Sequence, residues 1–332
     1  MHELHKQARS SGASNLVDVI EQSLGSPQGY STVLSRSGLL QAAREEGLRV
    51  PRTYPVGGAD DLVALRSQLE FPWVLKADGT WGGSGVRIAQ DASQAGNHLS
   101  QMTRMFRASR AAKRLLINRD AFVVRSWWNH SRPSIVAQSY VSGRPANCAV
   151  VCWRGRVLAG ISVEVVTATE ATGASAVVRV VDSPEMMRCA ERLAARLGVS
   201  GFFGLDFMIE EESGAAYLIE MNPRCTPLCH LRLGPGRDMP AALAAQIAGG
   251  PVRTAPPVTD NDLIAYFPQA LALNSELLAS SFLDEPQREP ELLEELRRPW
   301  PDRSLLYRIV SGLSRTEASE SKQYDFVTPA QE

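Results

Sequence analysis

GLDFMIEEESGAAYLIEMNPR, residues 204–224, sets two apolar runs around the polar tetrapeptide Glu211-Glu212-Ser213-Gly214. Phe202–Ile209 and Ala215–Met221 flank a glycine-containing turn, the pattern of a β-hairpin. Side chains alternate along a strand, so Glu220 and Asn222 share one face, and Asp206 joins them if the hairpin pairs it with Glu220. Both carboxylates are even-numbered, so direct pairing predicts a loop with an odd number of residues. Glu212-Ser213-Gly214, with Gly214 left-handed, meets that condition. Three converging oxygen ligands suit magnesium, which takes a few protein oxygens and lets substrate phosphates complete its octahedral shell. Spacing alone equally describes two solvated acids on neighbouring strands.

Upstream, Phe71–Ala77 (FPWVLKA) and Gly85–Ala89 (GVRIA) predict a second hairpin whose glycine-rich tip, 78–84, can approach a ligand closely. Lys76 leaves the first of these strands directly before the tip, where an ammonium can meet a phosphate while loop N–H groups cover its oxygens. Gln138-Ser139-Tyr140-Val141 reads as an extended segment with free backbone groups of the kind that recognise an adenine edge, and also as an ordinary strand.

Farther out, Leu39–Gly47 and Ala92–Arg107 read as helices, and Ser134–Val141, Ala146–Trp153 and Val157–Val166 as strands. Ser183 caps a helix opened by Pro184 and Glu185, with Met187, Ala190, Leu193, Ala194 and Leu197 on one face and Gly198 past its end. Residues 1–35 are polar and broken by Gly25, Pro27 and Gly29, which predicts a short helix and a loop. From 251 onward Pro, Glu and Leu dominate, which predicts short helices and a peripheral polar tail.

With 332 residues, 44% of them apolar, the chain can bury a substantial core, and disordered and fibrous classes are excluded. Its 35 Lys plus Arg balance 36 Asp plus Glu to a net −1, so no global field draws it to nucleic acid or an anionic membrane. The N-terminus lacks the apolar region of a signal peptide, and no stretch has the roughly 18 apolar residues of a membrane span. Five cysteines, odd and sparse, favour reduced thiols and a cytoplasmic location. There is no GK dipeptide for a Walker loop and no HExxH, and GGSGVRI puts Ile88 where a Rossmann fingerprint needs its third glycine. Cys225, Cys229 and His230 lack the second ligand cluster of a zinc site. His230 is a candidate for acceptor binding or proton handling, against the commoner structural histidine. Arg179 is a candidate for a substrate carboxylate, against an ordinary surface ion pair.

PWVLKADGTWGGSGVRIA, AQSYVSGRP and GLDFMIEEESGAAYLIEMNPR, in that order, resemble the ATP-grasp superfamily over roughly residues 36–250. Its carbamoyl-phosphate-synthase-like and carboxylate–amine ligase branch is the nearest match. The resemblance implies an α+β fold in which two subdomains grip ATP between antiparallel sheets, with a truncated N-terminal domain and a helical C-terminal extension. The implied divisions are 1–50, 51–141, 142–250 and 251–332.

It further implies that Lys76 and Arg36 hold phosphates and that Gly82, Gly83, Ser84 and Gly85 cover the β and γ phosphates. Gln138, Ser139, Tyr140 and Val141 would border the adenine, with Met208 beneath it. Asp206, Glu220 and Asn222 would coordinate Mg2+, with Mn2+ as a substitute, and Arg224 would face the transferring phosphoryl group. Gln138 departs from the usual acid of the hinge, and Arg144-Pro145-Ala146 lacks the acid that holds ribose. The implied activity is ATP-dependent ligation of a small carboxylate to an amine through an acyl phosphate. Its rivals are a phosphotransferase or carbamoyl-phosphate-type enzyme and a non-catalytic nucleotide-binding subunit. The short segment before Arg36 leaves room for a homodimer or a partner subunit that supplies the acceptor-side domain.

Overall fold

The computed structural model describes residues 2–78, 85–105, 134–169, 174–253, 255–273 and 275–297. Helices α1 (His2–Ser10), α2 (Ser14–Leu24), α3 (Tyr30–Leu34) and α4 (Arg36–Glu45) lead the chain. Next come β1 (Thr53–Pro55), α5 (Ala59–Leu65), β2 (Trp73–Ala77), β3 (Val86–Ala89), α6 (Ala92–Met105) and β4 (Ile135–Ser139). They are followed by β5 (Gly143–Trp153), β6 (Arg156–Ala168), β7 (Ser175–Val181), α7 (Pro184–Leu197), β8 (Gly201–Glu210), β9 (Ala216–Asn222) and α8 (Met239–Ala248). The last described elements are β10 (Leu263–Tyr266), α9 (Ser275–Ala279), β11 (Phe282–Asp284) and α10 (Pro290–Arg297). Two compact units divide the chain: 1–165 with 179–262, and 166–178 with the part from 263 onward.

The first unit contains two antiparallel arrays. In the smaller, the order is β1-β4-β2-β3. Alternation sends Trp73, Leu75 and Ala77 of β2 and Ile135 and Ala137 of β4 into a core with Leu65 of α5 and Met102 of α6. Lys76 and Gln138, at the intervening positions, therefore point to the opposite face of that sheet.

In the larger array the order is β6-β5-β8-β9. Cys148 and Val150 of β5, Leu205 and Phe207 of β8, and Leu218 and Met221 of β9 pack against Leu39 and Leu40 of α4 and Leu193 and Ala194 of α7. Helix α7 has the expected ends. The Ser183 side chain accepts from the Met186 N–H, Pro184 occupies the first turn, and Gly198 closes it at φ 59°.

The N-terminal segment is more structured than a helix and a loop. It forms three helices, and in α2 Leu16, Ile20 and Leu24 recur at four-residue spacing, a stripe diluted by the polar residues around it. Ile20 is fully buried. Gly25 bridges Val199, the Ser26 N–H donates to the Gly198 carbonyl, and the Ser200 N–H donates to the Leu24 carbonyl. Any side chain at Gly25 would collide with that Gly198 carbonyl, and its φ of 88° already favours glycine. Helix α4 starts at Arg36 rather than Leu39 because the Ser35 hydroxyl accepts from the Gly38 N–H and caps it there.

The second unit pairs β10 with β11 in parallel over a core of Val177, Ala265 and Ala270. Its strands, of four and three residues, are too short to emerge from a composition rich in Pro, Glu and Leu. Among the described residues no helix is long and apolar enough to cross a membrane. All five cysteines are free, and burial pushes the thiols of Cys148, Cys152 and Cys189 up to about 12.

Candidate functional site

Strand β9 changes phase halfway along its length. Ala216 and Leu218 face the core and so does Met221, three residues on, which strict alternation forbids. A β-bulge makes the switch: Phe207 pairs with Leu218 but Asp206 pairs with Glu220, leaving Ile219 as the extra residue. Asp206 thus lies directly opposite Glu220, with Asn222 two residues on, all on the face away from the core. The loop itself is not the predicted triplet. The Glu210 N–H donates to the Ala215 carbonyl, so four residues, 211–214, turn the chain, with Gly214 left-handed at φ 67°. The odd residue sits in the bulge instead, because an unbulged ladder would put Leu218 on the polar face and Tyr217 in the core.

Asp206 Oδ1 accepts from Asn147 Nδ2 at 2.6 Å and Asp206 Oδ2 from Asn222 Nδ2 at 2.9 Å. Burial, with the Glu220 charge adding to it, raises the Asp206 carboxyl to about 6, against the pull of these two amides and Lys76. Lys76 is only 6% exposed, and burial together with the Arg36 charge lowers its ammonium to about 8 while Glu220 and Asp206 oppose the shift. Lys76 on the small sheet and the two acids on the large sheet are therefore in electrostatic reach of one another. Arg36 ties the same two sheets together. Its Nη1 donates to the Ala77 carbonyl at 3.1 Å and its Nη2 to Glu220 Oε1 at 2.9 Å, and Asp78 Oδ1 lies 3.8 Å from Nη1. Burial is the main cause that raises the Asp78 carboxyl.

Gly82, Gly83 and Ser84 lie outside the described residues. Gly85 stands at the base of the tip, where its carbonyl accepts from the Ala77 N–H at 3.0 Å. The Gln138 side chain is 1% exposed and its Nε2 has no hydrogen-bond partner among the described residues. The free backbone edge expected beside it is narrower than the sequence suggests. The Ser139 N–H donates to the Arg52 carbonyl and the Tyr140 N–H to the Pro72 carbonyl, because the chain leaving β4 is pinned between β1 and the start of β2. Val141 follows outside the strand, and half-buried Met208 shares the Asp206 face of β8.

Arg224 is exposed. Its Nη1 donates to the Cys225 carbonyl at 3.1 Å and its Nη2 to Asn222 Oδ1 at 3.5 Å. Arg179 forms a surface ion pair with Asp262 at 3.5 Å. His230 is exposed in the segment after the hairpin. Asn147 and Asp78 were not singled out in the sequence. Asn147 shows only as a polar residue inside an apolar strand, and Asp78 only as the residue two past Lys76. Among the described residues no group of three or more His, Cys, Asp or Glu gathers to hold a metal.

A family profile described as "ATP-grasp domain" matches residues 39–227. No curated protein matches the chain. Among solved structures, carboxyaminoimidazole ribonucleotide synthase from Aspergillus clavatus, complexed with ATP, is 16% identical with a TM-score of 0.50, over 70% of this chain and 55% of that one. Phosphoribosylamine–glycine ligase from Thermotoga maritima is 14% identical with a TM-score of 0.49, over 70% and 58%. L-amino acid ligase from Bacillus licheniformis is 14% identical with a TM-score of 0.49, over 65% and 50%. The chain thus spans about half to three fifths of the length of these structures.

Proposed function

Given that the chain belongs to the ATP-grasp family, whose profile covers more than half of it, we propose that it is an ATP-dependent ligase joining a small carboxylate to an amine. The observation that carries this reading is the pairing of Asp206 with Glu220 on the face that also presents Asn222, opposite the buried ammonium of Lys76. Two carboxylates and one amide oxygen form a hard donor set with too few ligands to close a shell, which suits a magnesium ion shared with phosphate oxygens. Asp206, Glu220 and Asn222 would hold that ion, which supplies neutralising charge at the phosphates. The orphaned Gln138 Nε2, on the same face as Lys76, is a donor suited to an acceptor nitrogen of a nucleobase.

In this scheme residues 51–141 and 142–250 act as the two gripping subdomains. Lys76 binds the α and β phosphates, and Arg36, held by Glu220 and the Ala77 carbonyl, would turn toward them. A carboxylate oxygen of the substrate attacks the γ-phosphorus and ADP leaves, which gives an acyl phosphate. Arg224 faces the phosphoryl group in transit. The amine then attacks the acyl carbon, phosphate departs, and the C–N bond is formed. The glycine-rich tip, 78–84, would keep water from the acyl phosphate.

ADP release from the full chain, measured with and without carboxylate–amine mixtures, tests the reading. Release that requires both substrates is the expected result. Release with a carboxylate or other acceptor alone, yielding a stable phosphorylated product, would replace the ligase by a phosphotransferase. ATP binding without turnover under every mixture would leave a nucleotide-binding subunit.

A further inference from the structure

A cavity of about 800 Å³ opens between the N-terminal helices, the start of β8, the end of β9 and α8, all within the first unit. That volume lies in the range of small-molecule sites, which are mostly apolar with a few placed polar groups. Val19 of α2, Leu34 of α3, Phe203 of β8 and Ile247 of α8 line it. Val19, Leu34 and Ile247 are 59%, 63% and 65% exposed, so three aliphatic side chains face water around one hollow. Covering them with apolar ligand surface would be favourable at roughly 25 cal/mol per Å².

Arg224 is the one Lys or Arg among the residues that line this cavity. Through Asn222 it adjoins the hairpin that carries Asp206 and Glu220. A single guanidinium in a lining that is otherwise mostly apolar matches a ligand with one carboxylate and an apolar body. Glu3, which also lines the cavity, would repel a second carboxylate, while most of the remaining lining is apolar.

Resting on the ligase reading, we infer that this cavity seats the carboxylate substrate, that the substrate is a monocarboxylate with an aliphatic or aromatic tail, and that α2 and α3 select it. Arg224 holds the carboxylate at the edge of the site, and the tail runs toward Val19 and Leu34. The N-terminal helices are then specificity elements of the active unit rather than a leader.

Hydroxylamine attacks an acyl phosphate at carbon and expels phosphate, so hydroxamate formation reports carboxylate activation whatever the natural amine. The full chain is assayed with ATP, Mg2+ and hydroxylamine on hexanoate, 3-phenylpropanoate, glycolate and succinate. Hexanoate and 3-phenylpropanoate should exceed the other two in kcat/KM by about tenfold or more. Leu34→Asp, at a position too exposed to threaten folding, should raise KM for hexanoate about tenfold while KM for ATP stays within about twofold. Hydroxamate formed as well from glycolate or succinate, or an unchanged hexanoate KM in both Leu34→Asp and Leu34→Trp, overturns the cavity assignment and leaves the ligase reading standing. If none of the four is activated, the ligase reading is judged by the ADP-release assay above, and calorimetric titration of hexanoate decides the cavity. Binding that Leu34→Asp abolishes supports it, and no binding overturns it.

Discussion

Strand β2 and strand β9 deliver charge to the same place by different means. On β2, plain alternation suffices: Trp73, Leu75 and Ala77 go inward and Lys76 goes to the site. On β9, alternation from Leu218 would not reconcile Glu220 with Met221, and the bulge at Ile219 is what lets both the core and the site have their residues. The two strands also differ in electrostatic character. The β2 cation is buried and depressed, whereas β8 and β9 bring two acids together, one of them raised by burial and by its neighbour. Site geometry therefore needs only a period-two sequence on one sheet, but a placed irregularity on the other.

The sharpest way to break this comparison is Glu220→Gln. Losing the charge where phosphoryl transfer concentrates it should lower kcat by about 10² to 10³, with ATP-analogue affinity changing less than about tenfold. Equal losses in turnover and affinity would take Glu220 out of the metal site. Lys76→Met comes next in size. It should weaken ATP-analogue binding by about 10- to 100-fold, while the melting temperature holds or rises because a desolvated ammonium is replaced by an apolar chain. Unaltered binding in a calorimeter would remove Lys76 from the nucleotide.

A pH profile sharpens the contrast between the strands. Asp206 must be ionised to meet a cation and Lys76 must be protonated to meet phosphate. Thus kcat/KM for ATP should rise through about 6, level off, and fall through about 8, as set by the free protein. Stability carries the opposite signs. The folded chain binds its Asp206 proton more tightly than the unfolded chain, so stability drops as pH rises from 3.8 to about 6. It binds its Lys76 proton less tightly, so stability climbs as pH rises from about 8 toward 10.5. A profile flat from 5 to 9 would be incompatible with both groups acting.

The smallest effect belongs to deletion of Ile219. Removing the extra residue leaves Leu218 inward, Glu220 outward and Met221 inward on a regular ladder, so turnover should stay within about tenfold and stability within about 2 kcal/mol. A collapse of both would mean that the twist of the bulge, not merely its parity, positions Glu220.

Sequence alone exposed what depends on local pattern. The hairpin acids, the lysine before the glycine-rich tip and the capped helix at Pro184 each follow from a few adjacent residues. The bulge escaped because parity counting assumes an unbroken ladder, and Ile219 is as β-prone as its neighbours. Asn147 escaped because its role depends on β5 lying beside β8, a pairing between residues 59 apart in the chain. The Ser139 and Tyr140 donors looked available because their acceptors, Arg52 and Pro72, come from distant segments. Long-range partners, not propensities, account for these differences.

The hydrogen bond from Arg36 to Glu220 joins residues 184 apart in sequence. During synthesis at about 5–20 residues per second, α4 would wait roughly 10 to 40 seconds for β9 to appear. Until then its apolar face, Leu39, Leu40 and Ala43, has neither β8 nor β9 to cover it. Assembly of the large sheet is thus gated by loop closure over most of the chain, the regime in which folding is slow and the waiting helix is exposed to misassociation.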